Sequence, residues 1–274
     1  MKRLRISAVT FACATAVGLA LLVPAAGAAG PVPVMTLALT KTTVKVGGQL
    51  VSGPVEIATT VSGEPEDNPG LVRLKPGVSA TTFLKFVSRL SNDAAFDAID
   101  RYGTIVFSGG DVADGKTVDA FVDLRAGHYI ALNNGSGYVP FTVTASRSAA
   151  TLPTPQATVE AIDFGYHGAN TFYDGELVAF RNQGFLIHTF QAFQVASVAN
   201  ARKVERLLLA GNSKAAQKYE IAAPIMLVGP LSSGVVQESV ITAPPGVYVM
   251  FCPMNAEDGR DYYQLGMLRT LTIK

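Results

Sequence analysis

The sequence contains no tryptophan, only three histidines and only two cysteines among its 274 residues. Because histidine is so scarce, a Ser-His-Asp triad has few ways to form, and Ser232-Ser233-Gly234 lacks the spacing of a nucleophile elbow. Zinc sites need more His, Cys or carboxylate ligands at short spacing than this chain shows. The pairs Gly47-Gly48 and Gly109-Gly110 lie in β-turn contexts, without the strand, loop and helix of a phosphate-binding loop. These absences predict a protein that is not an enzyme.

Charge is scarce as well. Charged residues make up 16% of the chain, and 22 basic residues against 21 acidic ones give a formal net charge of +1. No stretch of the sequence concentrates basic residues into a patch that would neutralise phosphates. The composition therefore predicts that nucleic acid is not a partner.

The first 29 residues have the three parts of a secretory signal peptide. Lys2, Arg3 and Arg5 form a basic start, an uncharged and largely apolar run covers 6–23, and small residues fill most of 24–29. This order predicts cleavage after Ala28 or Ala29 and a secreted or cell-envelope location. The alternative is an uncleaved membrane anchor, which the length would just permit. No basic stop-transfer cluster follows, so we expect cleavage and no membrane span afterwards.

Cleavage at that point would leave one cysteine. Cys13 would be lost with the signal peptide, and Cys252 would have no partner for an intramolecular disulfide. A lone thiol in an exported protein calls for an explanation. It can be a metal ligand, a reactive group or a small buried apolar side chain, and composition alone leaves these three interpretations open.

Residues 30–274 are enough for two domains at roughly 100 to 200 residues each. A small, polar, proline-bearing stretch predicts a linker at 148–156, between a first domain at 30–147 and a second at 157–274. The two halves repeat the same features at an offset of 119 residues. Gly127-His128-Tyr129 matches Gly246-Val247-Tyr248, and Gly110 matches Gly229.

Short β-branched or aromatic runs bounded by Gly, Pro or Asn predict strands in the second half, at 178–182, 187–190, 235–242, 247–251 and 268–273. The run 235–241 alternates only imperfectly, so its faces stay undetermined. Apolar residues at helical spacing predict one helix in each half, around Phe83 to Leu90 and Val204 to Leu208. The predicted fold is all-β, with two tandem Greek-key sandwiches that each carry one helical insertion.

Three segments of the second half form a recognisable pattern. They are Asn182-Gln183-Gly184-Phe185-Leu186-Ile187-His188, then Gly246 to Pro253 with Cys252 near its end, and Gly266-Met267 before the last strand. In this pattern 157–274 resembles the cupredoxins, whose blue-copper members bind copper at one end of a Greek-key sandwich. The resemblance implies that His188, Cys252 and Met267 stand at copper-ligand positions.

The ligand set that the resemblance implies is incomplete. The second histidine of the family, expected five residues before the methionine, is replaced by Tyr262, and a phenol titrates near ~10. Each remaining residue also has an ordinary structural interpretation. His188 can be a buried strand-end histidine, Cys252 an inert core residue and Met267 a core methionine. The first half offers Asn68-Pro69-Gly70 and Asn133 where ligands would fall, so we expect no copper there.

These observations predict an exported, non-enzymatic binding or interaction protein of cupredoxin-like fold, whose partner is an unidentified protein or small molecule. The alternative is a copper-binding or electron-transfer protein with a modified type 1 site, formed by His188, Cys252 and Met267 with Tyr262 in place of the missing histidine. The cofactor is accordingly none or copper. Cuprous copper would suit the soft sulfur ligands.

Overall fold

The computed structural model describes residues 30–90, 93–147 and 150–274. The predicted signal peptide lies outside these residues, as does part of the predicted linker. The strands are β1 Val34–Thr40, β2 Thr43–Gly48, β3 Gly53–Val61, β4 Glu66–Asp67, β5 Gly70–Leu74, β6 Gly103–Ser108, β7 Val112–Ala113, β8 Thr117–Leu124, β9 Gly127–Leu132, β10 Tyr138–Val143, β11 Ala157–Ile162, β12 Gly165–Gly168, β13 Thr171–Phe172, β14 Leu177–Asn182, β15 His188–Val195, β16 Ile225–Leu231, β17 Val236–Val240, β18 Gly246–Phe251 and β19 Leu268–Ile273. The α-helices are α1 Ala80–Val87, α2 Val198–Leu209 and α3 Ser213–Ala216, and 3-10 helices cover Asp93–Arg101, Gln217–Tyr219 and Tyr262–Leu265.

The strands form two sandwiches with the same internal order. In the first sandwich, a layer ordered β2-β1-β3-β8 faces a layer ordered β10-β9-β5-β6. In the second, β12-β11-β14-β17 faces β13-β19-β18-β15-β16. Apart from the short β13, equivalent strands occupy equivalent places in the two sandwiches, which explains the sequence repeat. The structure confirms the predicted all-β class and the tandem arrangement, and all five predicted strands of the second half are present.

The helices pack as their apolar spacing predicts. Helix α2 begins after Ser197, whose side chain accepts a hydrogen bond from the backbone N–H of Asn200. It buries Ala201, Val204 and Leu208 against the outer face of the second sandwich, in one cluster with Phe193 and Val249. Within the described residues, no helix is both long and apolar enough to cross a membrane.

The two sandwiches share one sheet. Strand β17 pairs antiparallel with β8 and joins two four-stranded layers into a continuous sheet of eight strands. This position explains the imperfect alternation of the predicted strand 235–242. Gln237, Glu238 and Ser239 are all buried, because β17 lies in the middle of the sheet at the junction and has no solvent-facing side in this stretch.

Gln237 holds this junction together with side-chain hydrogen bonds. Its Oε1 accepts from the backbone N–H of Ser108 at 2.9 Å, and its Nε2 donates to the Ser108 carbonyl at 3.1 Å and to the Ser239 hydroxyl at 3.0 Å. A second contact lies nearby, where the Ser232 hydroxyl accepts from the backbone N–H of Ile105 and donates to Asp100. Edge strand β6 of the first sandwich is therefore bonded to the second.

We expect Gln237→Ala to lower the free energy of unfolding by about 2 to 4 kcal/mol, because it leaves both backbone groups of Ser108 buried without partners. Urea unfolding followed by circular dichroism measures the change. Gln183→Ala is the matched control, since Gln183 is exposed and its side chain donates to the half-buried Glu160. The control should change stability by less than about 0.5 kcal/mol. Equal stability of the two variants would contradict the role of Gln237 at the junction.

Candidate metal centre

The four residues singled out in the sequence meet at one end of the second sandwich. His188 opens β15, Cys252 follows β18 directly, and Met267 immediately precedes β19. Because β15, β18 and β19 are neighbours in one sheet, these strand ends lie together. The backbone N–H of Cys252 donates to the carbonyl of Met267 at 3.3 Å, and the ring centres of His188 and Tyr262 are 5.5 Å apart. All four side chains are fully buried.

His188 is oriented by a carboxylate. Its Nε2 lies 3.0 Å from Oδ1 of Asp163, and Asp163 also accepts backbone hydrogen bonds from Phe185 and Leu186. Gly184 permits this arrangement, because a Cβ at that position would lie 2.7 Å from His188 Nε2 and would also meet Asp163. Since a carboxylate only accepts, Nε2 carries the proton and Nδ1 has a free lone pair.

Nδ1 of His188 is buried and has no hydrogen-bond partner. Burial lowers the pKa of His188, and the nearby Asp163 only partly opposes this shift. The imidazole is therefore neutral at neutral pH. A neutral imidazole with an unpaired buried nitrogen has the form that a metal ligand needs.

Cys252 is buried beside hydrogen-bond donors. Burial raises the pKa of its thiol, while hydrogen bonds from the hydroxyl and backbone N–H of Thr189 and from the backbone N–H of Met254 work in the opposite direction without cancelling the shift. The Thr189 hydroxyl lies 3.5 Å from the sulfur. The thiol is therefore protonated at neutral pH and shielded from solvent, which argues against a reactive cysteine.

Tyr262 is held by a residue of the first sandwich. Its hydroxyl donates to Oδ2 of Asp97 at 2.9 Å, and Oδ1 of Asp97 accepts from the backbone N–H of Ile187 at 2.9 Å. Asp97 lies in the 3-10 helix Asp93–Arg101, which connects α1 to β6. Burial, reinforced by the negative charge of Asp97, raises the pKa of the Tyr262 phenol above its ordinary value. The phenol is therefore protonated, and its proton is directed to a carboxylate.

Sequence reasoning missed Asp97 and Asp163. Asp97 is separated from Tyr262 by most of the chain, and only the joining of the two sandwiches brings them together. Asp163 lies in the turn between β11 and β12, outside every motif of the resemblance. No local signal in the sequence identifies either residue, because each acts through a contact that is distant along the chain.

The donor set does not fit an ordinary type 1 copper centre. Such a centre needs two imidazoles and a thiolate in a plane with a weak thioether, and here a protonated phenol bonded to Asp97 takes the place of one imidazole. Within residues 30–90, 93–147 and 150–274, no group of three or more His, Cys, Asp or Glu side chains is placed to hold a metal ion. His188, Cys252 and Met267 remain as one nitrogen and two sulfur donors.

The equivalent end of the first sandwich has no ligand-type side chains at the matching positions. Pro69 and Asn133 stand 119 residues before His188 and Cys252. The amide of Asn133 is used structurally, since its Nδ2 donates to the Thr40 carbonyl and its Oδ1 accepts from the backbone N–H of Gly137. The two sandwiches therefore differ at this end.

The bond between Asp97 and Tyr262 can be measured by a double-mutant cycle. We expect Asp97→Ala and Tyr262→Phe each to destabilise the protein, with a coupling energy of about 1 to 2 kcal/mol, because either change removes the same buried hydrogen bond. Urea unfolding of the wild type, both single variants and the double variant gives this energy. Asp114→Ala is the control partner, since Asp114 is exposed and accepts a hydrogen bond from the backbone N–H of Gly63. Its effect on the free energy of unfolding should be additive with that of Tyr262→Phe. Additivity of Asp97→Ala with Tyr262→Phe would contradict the contact.

Neither protein-family models nor curated proteins match the sequence. Among solved structures, dithionite-reduced auracyanin from the photosynthetic bacterium Roseiflexus castenholzii is 19% identical, with 43% of this chain and 94% of that chain covered and a TM-score of 0.26. Auracyanin A from Chloroflexus aurantiacus, a blue copper protein, is 16% identical, with 43% and 96% covered and a TM-score of 0.25. Copper nitrite reductase from Nitrosomonas europaea is 9% identical, with 88% and 93% covered and a TM-score of 0.25. Scores this low carry no argument about this chain, and the strand order described above shows a mostly β protein of two tandem sandwiches.

Proposed function

We propose that this chain is an exported, non-enzymatic binding or interaction protein, in which the former metal position has become a structural contact between the two sandwiches. The observation that carries the proposal is the hydrogen bond from Tyr262 to Asp97. It engages the hydroxyl of Tyr262, which stands where the resemblance places the second histidine, and it links the second sandwich to the first. A side chain whose hydroxyl is already used in this structural contact is not free to act as a metal ligand.

Exposed apolar side chains at the same end support the interaction role. Phe185 is 88% exposed, although its backbone is held by the bond to Asp163. Ile162 and Phe164, on either side of Asp163, are also exposed, at 38% and 36%. Aromatic side chains on a rigid backbone are typical of protein interfaces, because they bury much apolar area with little loss of conformational entropy.

One observation favours copper binding as a second candidate function. His188 Nδ1 is buried without a partner beside a buried thiol and a buried thioether. One nitrogen and two sulfur donors suit cuprous copper, which accepts three soft ligands. In that case His188, Cys252 and Met267 would hold the ion, and the site would serve metal storage or transfer.

Copper titration separates the two candidates. The purified protein is titrated with Cu(I) without oxygen and with Cu(II) in air, and bound metal and the visible spectrum are measured. The proposal predicts no stoichiometric binding of either ion and no change in the rate at which a thiol reagent modifies Cys252. Stoichiometric copper that protects Cys252 and is lost in Cys252→Ser would overturn it and establish the copper function.

Restoring the missing imidazole tests the assignment of the ligand positions. We expect Tyr262→His to add a second nitrogen donor and to produce an intense visible thiolate-to-copper absorption with Cu(II), which the wild type lacks. Tyr262→Phe is the matched control, since it also removes the bond to Asp97 but supplies no nitrogen. If Tyr262→His folds but stays colourless and binds no metal, Tyr262 does not occupy the position of the missing histidine.

A further inference from the structure

A cavity of about 700 Å³ lies between the outer face of the β5–β6–β9 layer of the first sandwich and the helical segment that follows β5, and Met226, Gly229 and Pro230 of β16 in the second sandwich also line it. Its walls include apolar side chains from β5, β6, α1 and the 3-10 helix before β6, namely Val72, Ile105, Phe83, Leu84, Val87 and Phe96. Pockets that bind small molecules in proteins usually enclose roughly 300 to 1,000 Å³ and have mostly apolar walls. The size and lining of this cavity are therefore those of a ligand site.

The cavity occupies the end of the first sandwich that corresponds to the metal position of the second. Pro69 and Asn133 both line it, and these residues stand at the repeat offset from His188 and Cys252. Where the second sandwich fills this end with Tyr262 and Met267, the first leaves an open space beneath α1. The two copies of the fold therefore use the same end differently.

The residues that line the cavity disfavour a charged ligand. All its residues belong to the described part of the chain, and none of them is Asp, Glu, Lys, Arg or His. Transfer of an ion from water into such surroundings is costly unless a counter-charge or several hydrogen bonds compensate it. Polar but uncharged groups occur at the edge, in Asn68 and in the exposed loop Asn134-Gly135-Ser136. A matching ligand is neutral and mostly apolar.

Helix α1 has apolar surface that the protein leaves incompletely covered. Of its residues only Phe83 is fully buried, while Leu84 and Val87 face the cavity and are half-buried. A helix of eight residues has little stability of its own and depends on packing of its apolar side. A molecule in the cavity would complete this packing, since it would supply the contacts that the empty space lacks.

From these observations we propose that the cavity binds a neutral, predominantly apolar small molecule. This proposal specifies the class of ligand for the proposed binding protein, and in that respect it rests on the proposed function. Neither His188 nor Cys252 lines the cavity, so copper titration tests one site and ligand titration tests the other. Failure of one proposal is therefore distinguishable from failure of the other.

The test uses two fluorescent probes that share a ring skeleton and differ in charge. N-phenyl-1-naphthylamine is neutral, and 1-anilinonaphthalene-8-sulfonate carries an added sulfonate. Titration of the purified protein should show one bound neutral probe per chain, with an affinity at least about tenfold higher than that of the sulfonate. Absence of saturable binding of the neutral probe, or equal affinity for both probes, would overturn the proposal.

Variants locate the bound probe. Leu84→Trp places a larger side chain in the cavity and should weaken binding of the neutral probe by at least about tenfold. Lys85→Trp is the matched control, because Lys85 is the next residue of α1, is exposed and does not line the cavity. It should bind as the wild type does. Ser136→Trp is a second blocking variant at the exposed edge, where a new side chain does not disturb the core, so the test survives if Leu84→Trp fails to fold. Unchanged binding in a folded blocking variant would overturn the location.

Discussion

The pairing of β17 with β8 is the contact on which the rest of the structure depends. It turns two four-stranded layers into one sheet, and it requires the middle of β17 to be buried although that stretch contains Gln, Glu and Ser. Gln237 makes this burial acceptable, because its amide oxygen and nitrogen both form hydrogen bonds with the backbone of Ser108, and the nitrogen also donates to the hydroxyl of Ser239. With the sheet continuous, β6 lies beside β16, and the 3-10 helix before β6 reaches the second sandwich.

The contact of Asp97 with Tyr262 follows from that placement. Asp97 satisfies a phenol and a backbone N–H that the second sandwich cannot satisfy by itself. Burial and the same bond keep the phenol protonated, and the bond joins the two sandwiches. His188 retains the orientation of a ligand through Asp163, and Cys252 retains the hydrogen bonds that a thiolate would use. The site thus has part of the arrangement of a metal centre, while its donor set does not fit an ordinary type 1 copper centre.

The equivalent ends of the two sandwiches have different properties. The second sandwich fills its end with buried side chains, whereas the first keeps a cavity under α1. Neither difference alters the order of the strands, which is the same in the two sandwiches apart from the short β13. A shared scaffold can therefore carry a structural contact at one end and a ligand pocket at the equivalent end of its copy.

The sequence by itself determined the all-β class, the repeat at an offset of 119 residues and the strands of the second half, and its resemblance to the cupredoxins implied the meeting of His188, Cys252, Tyr262 and Met267. Hydrophobic spacing and turn residues are local, and the ligand-like residues stand at the ends of neighbouring strands, so short segments carried this information. The tertiary structure alone decided that β17 is buried on both sides, that Asp97 engages Tyr262 and that a cavity opens under α1. Each of these features depends on groups that are far apart in the chain. No local pattern shows which distant partner will form a hydrogen bond with a buried polar group, or where packing will leave a cavity.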